Sequence, residues 1–458
     1  MPVLGGISNR MIGSNDDKTD MRILVVGGGG REHALAHYLA SSKHDPEVYV
    51  APGNAGTAAI ATNVGLPVSD IDELLKFAKS KEIDLTVVGP EQPLTDGIVD
   101  AFRADGLTIL GPVAKAARLE GSKAFAKRFM VDHGIPTAKY RRFQRAEHRE
   151  ALAFVRDQGA PIVVKASGLA SGKGAIVCET VVEAEQALAS MMVGTAFGDA
   201  AEEVIVEEFM IGEEASVFVV CDGTTWRLLP SAQDHKRIGD GDTGPNTGGM
   251  GAYSPAPILT PEVAEVVCRT IIEPTLAGMK AEGVPYTGFL YIGLMIAEDG
   301  SPRVVEYNCR LGDPEAQVVL PLLANDGVDL FMSAATGHLD DVEVEVMEGS
   351  AAAVVLAARG YPGRYERGAT VSGLDDDPAD EVAHNGAFVY HAGTRRAPNG
   401  SIVTSGGRVL AVTGVGANLG EALRRAYGRV QTIRFDGVQY RTDIGSRGLE
   451  RIESTVDV

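Results

Sequence analysis

The apolar positions of the chain fall into short β-branched runs separated by stretches with helical spacing. Arg22–Val26 is such a run, and four glycines follow it directly. Arg31–Ala40 then reads as a helix, Val48–Val50 as a second strand and Leu85–Val88 as a third. Helical patterns lie between them at Ile71–Ser80 and after them at Thr95–Ala104. Strands alternating with helices predict a parallel sheet with crossover helices. This first unit runs to about residue 122.

A second unit opens with a helix, Ser122–His133, ended by Gly134 and Pro136. Strand Ile162–Lys165, glycine loop Gly168–Gly174 and strand Ala175–Cys178 follow. Helix Val182–Met192 and strands Val204–Glu208 and Ala215–Cys221 come next. A Gly-, Pro- and Asp-rich stretch covers Gln233–Pro257, and loops of that length are usually functional or disordered. Helix Pro261–Glu282 and strands Gly288–Ile296 and Arg303–Asn308 complete the unit. The last part of the chain opens with strand-like Ala351–Ala358 and has one helix near Asn418–Ile433. No internal repeat is present.

Composition narrows the class. The 458 residues suggest roughly three domains, and 45% apolar content excludes disorder as the main state. Acidic residues outnumber basic ones 62 to 42, a net charge of −20, so the global basic footprint of a nucleic-acid binder is absent. An anionic ligand must be held by a local cluster of Lys, Arg and backbone N–H. No apolar run reaches 18 residues, so no membrane span is expected. Residues 1–20 lack an apolar signal-peptide core and read as a disordered leader, with Met21 as the natural start. Cys178, Cys221, Cys268 and Cys309 form no C-x-x-C pair. Reduced thiols and a cytoplasmic location are the expectation.

Four segments carry candidate chemistry. Gly27–Gly30 joins a strand to a helix, where backbone N–H groups cradle anions; a tight turn alone is the other reading. The dinucleotide fingerprint G-x-G-x-x-G is broken, because Glu32 or His33 stands where its third glycine belongs. The second strand also ends in Ala51-Pro52 and not in an acid for a ribose. In Gly168–Gly174 the glycines are one residue too close for a Walker loop, and a strand follows instead of a helix. This predicts a hairpin lid over phosphates, with Lys165 beneath and Lys173 on the lid; a surface hairpin with solvated lysines is the alternative. In Val304–Arg310 the period of two puts Glu306, Asn308 and Arg310 on one face. A carboxylate beside an amide oxygen suits Mg²⁺, although an exposed strand face is the commoner meaning of such a pattern. His235, Lys236 and Arg237 make a dense cationic cluster in the long stretch, fit for gripping an anion or for plain surface.

Together these segments resemble the ATP-grasp superfamily and, within it, the phosphoribosylamine–glycine ligase family. The matching stretches are GGGGREHALA (27–36), APGNAGT (51–57), VVGPEQPLTDGIVD (87–100), LEGSKAFAK (119–127), KASGLASGKG (165–174) and VEEFMIGEEAS (206–216). They continue with SAQDHKRIGDGDTGPNTGGMGAYSPAP (231–257), GFLYIGLM (288–295), VVEYNCRLGDPE (304–315) and HAGT (391–394).

The resemblance implies a multidomain α/β and α+β chain. Its parts are a Rossmann-like N-terminal domain (21–122), an ATP-grasp domain (123–330) with a lid near 137–212, and a mixed-β C-terminal domain (331–458). It implies ATP-dependent joining of glycine to 5-phosphoribosylamine through glycyl phosphate, with Mg²⁺ or Mn²⁺, in purine synthesis. Lys123, Lys165, Gly172, Lys173 and Gly174 would meet the ATP phosphates. Glu207, Glu208, Phe209 and Met210 would form the adenine hinge, and Glu214 would take the ribose. Glu306 and Asn308 would hold the metal. Gly30, Arg31, Glu32, Asn54 and Glu91, with Lys236, Gly248, Gly249 and Met250, would line the substrate side. Lys165, Asp234, Arg310 and Asp313 would act in catalysis, the last three with Lys236 orienting glycine and its acyl phosphate. Gly288–Met295 lacks the second metal carboxylate of many ATP-grasp enzymes. A monomer is expected, with a dimer as the alternative. An NAD-dependent oxidoreductase and a non-catalytic nucleotide sensor are the competing classes.

Overall fold

A computed structural model of the chain describes residues 21–169, 174–194, 198–374 and 386–456. The leader 1–20 and the lid residues Gly172 and Lys173 lie outside the described residues.

Arg22–Gly27 is the middle strand of a five-stranded sheet, in the order Thr62–Asn63, Glu47–Pro52, Arg22–Gly27, Leu85–Val88, Ile109–Leu110. Every pairing in it is parallel. Both faces are covered: Leu24 and Val26 enter one apolar core, Ile23 and Val25 another. Burial on both sides is why these strands read as unbroken apolar runs. Each fully buried aliphatic side chain contributes about 1.5–3 kcal/mol.

The predicted helix Thr95–Ala104 starts later, at Ile98–Ala104, and a further short helix, Glu91–Thr95, precedes it, with Gly97 between them at φ 94°. Only glycine takes that backbone without strain. The first short helix carries Glu91 toward the interior.

Lys123–Asp132 is a helix whose N-cap Ser122 accepts a hydrogen bond from Phe125 N. Beyond it, Tyr140–Gln144, Glu203–Glu208, Ile162–Ala166 and Ala175–Cys178 form an antiparallel sheet. Its separate core contains Phe143, Val155, Val164, Met191 and Val206. The expected hairpin is present, with Lys165 paired to Ala175. A second antiparallel sheet runs Trp226–Leu228, Glu213–Asp222, Thr287–Ile296, Pro302–Asn308. The chain between Glu208 and Glu213 links the two sheets, and a cavity opens at that junction.

The Gln233–Pro257 stretch is a correction to the expected long loop. It forms four short strands, Gln233–Asp234, Arg237–Gly239, Thr243–Asn246 and Gly251–Ser254. Gly251–Ser254 pairs with Ser350–Ala357, so this stretch extends the C-terminal sheet of Ser350–Ala357, Arg408–Gly416 and Ala387–His391. The partner edge supplies what local propensity lacks. Gly251 is needed there, since a Cβ would come within 2.6 Å of the Ala353 carbonyl oxygen. The expected cationic cluster is dispersed as well. His235 is buried and its ring is driven down to about 3 by burial, then by Arg447 and Arg441. Arg237 donates to the Gly244 carbonyl.

A histidine seam ties the first sheet's helix Gly30–Ala40 to the C-terminal sheet. His391 N donates to His33 Nδ1 at 2.8 Å, and the rings lie 5.7 Å apart. Burial, then His391 and His37, lower the His33 pKa, while burial and then Arg396 bring His391 to about 4. Both are neutral in the fold, but the unfolded chain takes up protons near the ordinary value of about 6.5. Stability is therefore complete above that pH and lost as pH falls below it. The urea midpoint should drop between pH 7.5 and 5, and His391→Asn should flatten the drop. An unchanged slope in that variant would refute the seam's role.

Candidate active site

One cavity of about 670 Å³ runs from the hinge at Glu207–Met210 to Arg31 and Glu91, with the C-terminal residues Tyr361, Tyr365 and Arg408 along one wall. At the hinge end, alternation along Glu203–Glu208 turns Glu207 inward, where it is buried. Lys165 Nζ approaches Glu207 Oε2 at 2.8 Å and Lys127 Nζ approaches Oε1 at 3.2 Å. Lys127 also donates to Thr137 Oγ1 at 2.7 Å. Burial lowers Lys127 to about 8 against the pull of Glu207. Lys123 is lowered by burial too, with Glu306 opposing. Lys165 and Lys127 on one hinge carboxylate, with Lys123 lining the same cavity, make a local cluster of positive charge that suits a polyphosphate. Glu208 is tied at 2.8 Å to Arg303, and Phe209 is part-exposed at the rim. Glu214 holds Lys236 at 2.5 Å. Burial works against the Lys236 charge, yet Glu214 and Asp234 raise its pKa well above the ordinary value.

In the middle of the cavity stand Glu306 and Asn308, on the strand face that the period of two predicts. The Glu306 carboxylate makes no hydrogen bond or ion pair among the described residues. Burial opposes its ionisation, but Lys236, Lys123, Lys165 and Arg310 together pull its pKa below the ordinary value. An ionised, unpaired carboxylate beside the Asn308 amide oxygen fits a hard divalent cation. Gly293 and Tyr291 face these two residues on the neighbouring strand, so no second carboxylate comes from there.

At the far end, Arg31 and Glu91 line the cavity, whereas Gly30, Glu32 and Asn54 stand behind its wall. Glu32 accepts from Gly29 N and from Arg31 Nε, each at 2.6 Å, and so aims Arg31. Asn54 donates to Gly28 O at 3.0 Å and His391 O at 2.8 Å, and accepts from Gly56 N and Thr57 N. Its amide is fully engaged in shaping the loop. Gly248 lines the cavity, but Gly249 and Met250 do not. Arg310 is clamped by Glu120 at 2.7 Å and Glu91 at 3.3 Å, and donates to Asn308 Oδ1 at 3.2 Å. Asp313 is held by Arg408 at 2.9 Å and by Gln317 Nε2 at 2.7 Å.

Several cavity residues escaped the sequence reading: Lys127, Glu120, Tyr291, Tyr361 and Arg408. Lys127 had a local signal, since it lies one turn after Lys123 on the same helix face. Tyr361 and Arg408 had none. They reach the cavity because the C-terminal sheet folds back, where Tyr361 accepts a hydrogen bond from Gly248 N at 3.0 Å.

A hinge between two antiparallel sheets, lysines around it and a free carboxylate below define an ATP-grasp enzyme, a class that uses ATP with a divalent metal ion. Family models of phosphoribosylglycinamide synthetase match three parts of the chain: the N domain at residues 21–120, the ATP-grasp (A) domain at 121–316 and the C domain at 351–447. The chain belongs to the phosphoribosylglycinamide synthetase family. It is 53% identical over 433 residues to the phosphoribosylamine–glycine ligase of Salmonella typhi, covering 94% of this chain and 99% of that one. The crystal structure of the Thermotoga maritima phosphoribosylamine–glycine ligase superposes with a TM-score of 0.79 at 36% identity, covering 93% of this chain and 100% of that one. Biotin carboxylase from Campylobacter jejuni shares the fold, with a TM-score of 0.67 at 16% identity over 93% of this chain and 94% of that one.

Proposed function

We propose that this protein joins glycine to 5-phosphoribosylamine at the expense of ATP, giving glycinamide ribonucleotide, ADP and phosphate in purine biosynthesis. The observation that carries the reading is the cavity that places a lysine-lined hinge, an unpaired, half-buried Glu306 carboxylate and the Arg31–Glu91 end in one space. The glycine carboxylate attacks the γ-phosphate, the bond to the β-phosphate oxygen breaks, and glycyl phosphate forms. The amine of phosphoribosylamine then attacks the acyl carbon, a proton leaves the nitrogen and phosphate departs.

Activation is required because a bare carboxylate reacts poorly with an amine. The protein supplies positioning and charge neutralisation. Lys123 and Lys165 face the triphosphate, with Gly174 at the base of the lid, and Glu214 takes the ribose. Glu207 holds Lys165 and Lys127 in place, and the backbone of Glu208–Met210 receives the adenine. Arg310, Lys236 and Asp234 hold glycine, and Asp313, fixed by Arg408, lies toward the sugar with Arg31 and Glu91. Glu306 and Asn308 would hold Mg²⁺ or Mn²⁺, which when bound neutralises phosphate charge. The proposed working units are residues 21–122, 123–330 with the lid at 137–212, and 331–458. The proposed form is a cytoplasmic monomer that binds small molecules and neither nucleic acid nor membrane; no helix among the described residues is long and apolar enough to cross one.

The test is ADP release from ATP and Mg²⁺, with glycine and with phosphoribosylamine made in place from ribose 5-phosphate and ammonia. Release should require both co-substrates. Release driven by another acid or amine instead would remove the substrate assignment.

A further inference from the structure

Behind the wall at the far end of the cavity stands a buried polar side chain with no part in the proposed chemistry. Gln317 lies in the short helix Ala316–Val319, is 1% exposed and does not itself line the cavity. Its Nε2 donates to Asp313 Oδ1 at 2.7 Å. Its Oε1 is buried and receives no hydrogen bond among the described residues. A buried amide oxygen without a donor costs stability, so packing alone is a poor reason for a glutamine here. Asp313, by contrast, does line the cavity. Arg408 Nη2 holds its Oδ2 at 2.9 Å, and Arg408 Nη1 donates to its backbone carbonyl at 2.6 Å. With Gln317 on Oδ1, the carboxylate is fixed from both sides. About two of its four acceptor sites are used this way, so the rest can receive a donor from the cavity.

The first glycine loop meets this arrangement. A Cβ at Gly30 would come within 2.5 Å of Gln317 Nε2, and the next side chain, Asp313, would lie 3.7 Å away. Gly30 is not among the glycines with positive φ, so its backbone admits alanine and the Gln317 amide is what stands in the way. The last glycine of Gly27–Gly30 is thus matched to Gln317 and not to a turn. We infer that Gln317 is a positioning residue for the amine substrate: through Asp313 it sets how phosphoribosylamine is held, and Gly30 is the opening that lets its amide reach Asp313. This rests on the function proposed above, with Asp313 toward the sugar. ATP and glycine are held by other groups, Lys123, Lys165, Lys236 and Arg310 among them, so their use does not pass through Gln317.

Two single variants and their double test the inference, with ADP release measured against phosphoribosylamine at saturating ATP and glycine. Gln317→Met keeps the volume but donates nothing. It should lower kcat/KM for phosphoribosylamine at least about 10-fold, the usual weight of a hydrogen bond to a charged group, and leave the KM values for ATP and glycine unchanged. Its urea midpoint should stay near the wild-type value, because the unpaired amide oxygen is removed with the amide. Gly30→Ala should give the same pattern, since the flexible end of Gln317 yields to the new Cβ and leaves Asp313. The double variant should lose no more than the larger single loss, because both changes act through one contact.

Normal kinetics with phosphoribosylamine in Gln317→Met would overturn the inference and leave the function intact. Equal losses for all three substrates with a lower urea midpoint would do the same, since that pattern marks a packing residue. Losses that multiply in the double variant would overturn the route from Gly30 through Gln317. If Gln317→Met does not fold, Gly30→Ala decides alone through the same split between substrates. A wild type that releases no ADP with both co-substrates present would instead remove the underlying function.

Discussion

Glu306→Gln should slow ADP formation by at least about 10²-fold while leaving the fold and nucleotide binding in place, by comparison with deletion of one electrostatic stabiliser. The expectation follows from the surroundings of the carboxylate. Glu306 is half-buried, and desolvation opposes its charge, yet Lys236, Lys123, Lys165 and Arg310 hold its pKa below the ordinary value. Its carboxylate has no hydrogen bond or ion pair among the described residues, so its loss breaks no structural contact. Gln keeps the shape and one oxygen donor but removes the charge. The urea midpoint should therefore stay near the wild-type value, and higher Mg²⁺ should recover part of the rate. Turnover near the wild-type rate at ordinary Mg²⁺ would rule out the metal role.

Arg310→Met should have the largest effect on stability, about 3–5 kcal/mol, the usual cost of removing one partner from a buried ion pair. Arg310 bonds to Glu120 at 2.7 Å and Glu91 at 3.3 Å, and Glu120 also accepts from Cys309 N at 2.8 Å. Burial raises the Glu120 pKa, and Arg310 is the main force opposing that rise. Without Arg310, Glu120 must either stay ionised and unpaired or take up a proton. A folded-state pKa raised above the unfolded value costs stability as pH rises through that interval. Glu91, held below its ordinary value against burial by Arg310 and then Arg31, loses support in the same direction. The deficit against wild type should be larger at pH 8 than at pH 5. Urea unfolding at the two pH values measures it, and a pH-independent deficit would show that lost packing is the cause.

The two variants separate two uses of charge, one on the strand Pro302–Asn308 and one on the bend just past its end. Glu306 is ionised without a partner and is therefore ready for a ligand. Arg310 is anchored by Glu120 and Glu91, which fix where its guanidinium stands in the cavity wall. The sequence reading placed both on one face from the period of two; the strand ends at Asn308, and Arg310 reaches the same cavity from the bend that follows. Periodicity cannot tell a free charge from a paired one, because the partners Glu91 and Glu120 lie about 190 residues or more away.

Local chemistry alone determined a good deal. Apolar runs between helical patterns announced the parallel sheet, since strands buried on both faces must be continuously apolar. The hairpin at Lys165 was legible because two strands flank its glycine loop in sequence. Lys123, Lys165, Glu207 and Glu214 were legible as candidates because each sits within a short motif, and all four line the cavity, whereas Lys127 was passed over. Tertiary structure decided what no local pattern records. Gln233–Pro257 reads as loop but forms strands: Gly251–Ser254 is paired by the edge of Ser350–Ala357, and Arg237–Gly239 by Thr243–Asn246. His235 reads as surface cation and is buried neutral. Asn54 and Glu32 read as ligand contacts, yet their polar atoms are taken by the backbone and side chains that shape the wall. Tyr361 and Arg408 become cavity residues only when distant segments meet. A side chain's residue type fixes its chemistry, but burial and partners set whether that chemistry is free, and those arise from contacts far apart along the chain.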